Sequence, residues 1–118
     1  MKKVIAVDFD GTICENAWPK IGAPNRSLIE QLIEEQKNGA VIILWTCRAR
    51  GMLKEAVSWA EKQGLKFDYV NQNAPERIRA YQNDSRKISA DVYVDDRAAA
   101  FSFGEKLNMG GKGNADQI

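Results

Sequence analysis

The chain carries an uninterrupted apolar run, Val4, Ile5, Ala6 and Val7, that stops at an acid in "VIAVDFDG". A strand with one wet face alternates apolar and polar residues, whereas a run apolar at every position is buried on both faces, as strands inside parallel sheets are. Such sheets bind their ligands beyond the carboxyl ends of the strands. Asp8 and Asp10 therefore fall at the edge where chemistry is done, and Gly11 allows a tight turn after them. The pattern returns late in the chain, where "ADVYVDD" closes on Asp95 and Asp96.

Helical patterns separate these runs. Pro24 and Asn25 precede Leu28, Ile29, Leu32 and Ile33 at helical spacing, and Lys37, Asn38 and Gly39 mark the stop. "AVIILW" (40–45) reads as a second strand, and a helix carrying Leu53, Ala56, Val57 and Ala60 follows before Gly64. "LKFDYV" (65–70) is a third strand and "ADVYVDD" (90–96) the last. At 118 residues the chain suits one domain. The sequence predicts an α/β fold: a single three-layer Rossmann-like domain with a parallel sheet over 1–109, then a flexible tail over 110–118.

Composition removes several function classes. The chain has no histidine, so it can build neither a Ser-His-Asp triad nor an imidazole metal site. Two cysteines, Cys14 and Cys47, are too few for a disulfide framework and read as inert small residues. Seventeen Lys plus Arg against sixteen Asp plus Glu leave +1, so charge gives no support to nucleic acid as a partner. No apolar stretch is long enough to span a bilayer and the start lacks a signal-peptide core, which predicts a cytoplasmic protein without a membrane partner. Trp18 and Trp45 read as packing residues.

Asp8, Asp10, Asp95 and Asp96, converging on one sheet edge, would repel one another in a cleft of low dielectric. A cation among them relieves this, and oxygen-only donors suit Mg²⁺ before Ca²⁺.

These residues resemble the signatures of the haloacid-dehalogenase-like phosphohydrolase superfamily. "DFDGT" (8–12) looks like its first, "LWTCR" with Thr46 its second, Lys87 in "SRKISADVYVDD" its third and "VYVDDR" its fourth, in the family's order. The resemblance implies a Mg²⁺-dependent phosphomonoester hydrolase. Asp8 would be the nucleophile that forms an aspartyl-phosphate, and Asp10 the general acid and base. Thr46 and Lys87 would complete the catalytic set, with Arg86 the alternative to Lys87. Gly11, Thr12, Thr46, Cys47 and Arg48 would contact substrate. Mg²⁺ would meet Asp8, the Asp10 carbonyl and the Asp95–Asp96 pair, Asp96 directly and Asp95 through water.

The segment 13–24 is too short for the cap domain of larger members, so the resemblance implies a capless enzyme with an open cleft, unless a second subunit covers it. The substrate class is a small or terminal phosphomonoester, with a nucleic-acid end and a homo-oligomer both left open. Two other readings share the residue types: a receiver-like phosphoacceptor module, whose acids come in a different order, and a non-catalytic phosphate-binding protein.

Overall fold

The first strand owes its place to its composition. A computed structural model describes residues 2–81, 88–97 and 101–110. β1 (Val4–Val7) is buried at every position and lies inside a four-stranded parallel sheet, between β4 (Val41–Leu44) and β6 (Val92–Val94). β5 (Tyr69–Val70) adds to the far side of β4, giving the order β5-β4-β1-β6. The chain is one α/β domain of Rossmann-like design, with helices flanking the sheet.

Both faces of β1 and β4 are used. Ile5, Val7, Ile42 and Leu44 pack with Leu28, Ile29 and Leu32 of α1 (Arg26–Lys37) and with Ala56 and Ala60 of α2 (Arg50–Lys62). Val4, Ala6 and Ile43 face the opposite way, against Ile88. α1 starts where the sequence places it, with the Asn25 side chain accepting from the Leu28 N–H at 3.3 Å. It is followed by Gly39 at φ +99°, a backbone conformation that glycine adopts without strain.

Three features depart from the sequence reading. Residues 13–24, expected only as a segment too short for a cap domain, form an antiparallel hairpin of β2 (Cys14–Ala17) and β3 (Lys20–Pro24). Its strand "CENA", exposed after the buried Cys14, has no apolar alternation to announce it. A short helix, α3 (Pro75–Tyr81), also escaped the reading. The strand read over 65–70 contracts to Tyr69–Val70, and the Asp68 carboxylate accepts from the Ile42 N–H at 2.7 Å.

α3 supplies one half of a buried ion pair. Arg77 Nη2 donates to Asp91 Oδ2 at 2.8 Å, and the same oxygen accepts from the Val4 N–H at 2.8 Å. Their side chains are 3% and 0% exposed. The segment after β6 crosses α1, where Gln31 exchanges two hydrogen bonds with the backbone of Leu107 and Met109 enters the core. Of the predicted tail, Gly110 accepts from Lys3 Nζ at 3.2 Å, and 111–118 lie outside the described residues. No helix among the described residues is long and apolar enough to cross a membrane.

Candidate active site

Parallel registration brings the acids together. Val7 pairs with Leu44 on one side and Val94 on the other, so Asp8 and Asp95 leave adjacent strands at the same height. The Asp8 N–H donates to the Val94 carbonyl at 2.9 Å and the Trp45 N–H to the Val7 carbonyl at 2.9 Å, which extends the ladder by one residue. Asp8, Asp95 and Asp96 each offer a carboxylate oxygen, and the three oxygens lie within 4.8 Å of one another.

The turn after β1 locks this arrangement. Thr12, fully buried, donates from Oγ1 to Asp8 Oδ2 at 3.4 Å and accepts the Asp96 N–H at 3.0 Å, so one hydroxyl spans the two acidic strand ends. Gly11 sits at φ +82°, and a Cβ there would stand 2.5 Å from Asp96 Oδ2. The positive φ favours glycine here, and any larger residue would also have to displace the Asp96 carboxylate. Asn25 fastens the turn to α1, donating from Nδ2 to the Thr12 carbonyl at 2.9 Å.

Burial pushes the Asp8 carboxyl up to about 6, against hydrogen bonding from the Phe9 N–H, and the charges of Asp95 and Asp96 push the same way. A hydrogen bond shared with Asp95 raises Asp96 as well, with desolvation adding to it. Carboxyl groups held in this state are short of positive charge. The donor set is hard oxygen throughout, which fits Mg²⁺, with Asp8, Asp95 and Asp96 as the side chains that would hold it.

The carboxylate of Asp10 stands apart from this group. Its two oxygens accept from Arg48 Nη2 at 2.7 Å and Nε at 2.8 Å, a bidentate fork. Arg48, expected on a substrate phosphate, has a side chain only 1% exposed. Its Nη1 and Nη2 also donate to the Pro19 and Lys20 carbonyls of the hairpin, at 3.2 and 3.0 Å, and its guanidinium lies 5.2 Å from the Phe9 ring centre.

Thr46 lies just beyond β4, half-buried, and its Oγ1 accepts the Arg48 N–H at 3.1 Å, which leaves the hydroxyl proton free to donate. Asn71 holds the Thr46 N–H at 2.8 Å from a left-handed backbone position, φ 52°, that asparagine tolerates. Sequence reasoning missed Asn71; its only signal was an asparagine directly after a strand. Cys47 is exposed and Cys14 buried, and both are free. Lys87 and Arg86 lie outside the described residues. Trp18 and Trp45, read as packing residues, stand 60% and 40% exposed, and Trp45 contacts Tyr93 at a centroid distance of 5.9 Å.

No family model and no curated protein matches the chain. A solved structure of a conserved protein from Bacteroides thetaiotaomicron is similar over 84% of this chain and 79% of that one, at 39% identity and a TM-score of 0.73. The chain belongs to that protein's family.

Kinship with the Bacteroides protein establishes the fold, and the chemistry rests on the side chains just described. They amount to a half-buried carboxylate at the end of a central strand, two further acids across from it, and a free hydroxyl on the neighbouring strand. Such a set can bind a hard cation and present one carboxylate oxygen to an electrophile.

Proposed function

We propose that the chain is a Mg²⁺-dependent phosphomonoester hydrolase of the haloacid-dehalogenase-like kind, working through an aspartyl-phosphate on Asp8. The observation that carries this reading is the cluster of Asp8, Asp95 and Asp96 at the carboxyl ends of paired strands, with Asp8 part-buried on the central one. A cation held there supplies charge neutralisation for nucleophile and phosphoryl group alike.

Asp8 attacks phosphorus, forming an acyl-phosphate bond as the bond to the leaving oxygen breaks. To act as the acid, Asp10 frees one oxygen from the Arg48 fork, takes up a proton from solvent and delivers it to the leaving oxygen; the carboxylate so formed then takes a proton from the water that splits the acyl-phosphate and regenerates Asp8. The Thr46 hydroxyl donates to a phosphoryl oxygen, and Lys87, assigned from the order of the signatures alone, would supply positive charge. Only the β2–β3 hairpin separates β1 from α1, which favours an open cleft and terminal phosphomonoesters of varied size. Two free cysteines fit the reducing cytoplasm.

The test is hydrolysis of a panel of sugar phosphates, nucleotides, phosphopeptides and oligonucleotide ends, with Mg²⁺ and then with excess chelator. Release of phosphate that chelation stops is the expected result. Release undiminished by chelator, or none from any member of the panel, overturns the proposal.

A second expectation follows from the raised acids. Asp8 titrates near 6 in the folded chain against 3.8 as its ordinary value, so the folded state holds the proton more tightly. That contribution to stability is complete below about 3.8 and is lost as pH rises through 6. Mg²⁺ needs the deprotonated carboxylates and replaces the lost proton. The rise in Tm on adding Mg²⁺ should therefore be small at pH 5 and clearly larger at pH 7 in differential scanning fluorimetry. An equal rise at both values would remove Asp8 from the metal site.

A further inference from the structure

We propose that Arg48 is a positioning residue: a strut that ties the carboxylate of Asp10 to the backbone of the β2–β3 hairpin and so lets the hairpin set where Asp10 lies. This rests on the phosphatase reading for its catalytic consequence, but the strut itself is independent of it. The geometry is specific. One guanidinium grips both Asp10 oxygens at 2.7 and 2.8 Å and, on its outer side, the carbonyls of Pro19 and Lys20. Every one of its three nitrogens is engaged, and the side chain is 1% exposed.

Only arginine can do this. Its planar fork matches a carboxylate while leaving donors on the far edge for carbonyls, whereas a lysine ammonium is a point charge without a fixed plane. The Phe9 ring, 5.2 Å away, supports the guanidinium plane, and Phe9 is itself held edge-on against Trp59 at 5.7 Å. The strut is thus anchored on the core side and free to follow the hairpin on the other. Trp18, 60% exposed, precedes Pro19 directly.

This role differs measurably from the phosphate contact that the sequence suggested for Arg48. A residue that positions the general acid matters most when the leaving group needs a proton. Arg48→Ala and Arg48→Lys should each slow the first turnover of an alkyl phosphate by about 100-fold, and that of an activated aryl phosphate by no more than about threefold. Inhibition by inorganic phosphate should stay within about twofold of the parent.

Amide hydrogen exchange gives a reading that needs no turnover. In Arg48→Ala and in Asp10→Asn, which keeps the shape but breaks the ion pair, residues 15–20 should exchange about tenfold faster than in the parent. Equal losses on both substrates with weaker phosphate inhibition would make Arg48 a phosphate ligand and overturn the strut. So would unchanged kinetics, or unchanged exchange in Asp10→Asn. If the parent protein hydrolyses nothing, the phosphatase reading falls on its own, and the exchange experiment still decides whether the strut exists.

Discussion

Asp8→Asn is expected to lower phosphomonoester turnover by at least about three orders of magnitude, some 4 kcal/mol of barrier at about 1.4 kcal/mol for each tenfold. The amide keeps the shape of the side chain and its place above β1 but offers no nucleophilic oxygen anion. Little compensation is available, since Asp95 and Asp96 stand at the end of the neighbouring strand and both oxygens of Asp10 accept from Arg48. Acid-quenched protein should carry phosphate from a labelled substrate in the parent and none in the variant. The variant should not be less stable than the parent in the absence of Mg²⁺, because an amide needs no charge compensation in a site that pushes its acid up to about 6. Turnover within tenfold of the parent would exclude Asp8 as the nucleophile.

Arg77→Ala is expected to cost about 3–5 kcal/mol of folding stability, the usual penalty for leaving one partner of a buried ion pair alone. That is a large part of the roughly 5–15 kcal/mol that holds a domain together. The Asp91 side chain is 0% exposed, and its Oδ2 also accepts the Val4 N–H, so it cannot turn to solvent without freeing the first amide of β1. The urea midpoint should fall at unchanged m value. Adding Asp91→Asn should recover part of the loss, because the amide oxygen can still accept from Val4 while the orphan charge disappears. A single-variant loss below about 1 kcal/mol, typical of exposed pairs, would show that water reaches Asp91.

The parts of the fold that could be read in advance are those where hydrophobic pattern and geometry coincide. Val4 to Val7 and Val41 to Leu44 are apolar in sequence because both faces are covered, and the spacing of Leu28, Ile29 and Leu32 is that of a helix with one face on the sheet. Asp8, Asp95 and Asp96 could be placed together because parallel strands in register must end side by side. The hairpin could not be read, since its strands are largely exposed and are not patterned by burial. Nor could the Asp10–Arg48 fork: the two residues are 38 positions apart, and only the arrangement of the turn, the hairpin and the start of α2 decides that Arg48 faces a carboxylate. Thr12 was read as a substrate contact, but burial turns its hydroxyl onto Asp8 and Asp96.

The position of β1 in the sheet also bears on how the molecule comes to exist. Its partner β4 follows after the hairpin and one helix, but its other neighbour, β6, is the last of the described strands, and the contact of Val4 with Asp91 spans 87 residues. Closing so long a loop has an entropic cost that must be met before the pairing offers any return, and contacts of this kind slow folding. On a ribosome, one hydrogen-bonding edge of β1, buried at every position in the finished fold, stays open until residues 92–94 have emerged. During that interval the nascent domain offers a template for strands of other chains. The acids of the cluster arrive in the same order, Asp8 well before Asp95 and Asp96, which follow β6, so the step that seals the edge also brings the three carboxylates together.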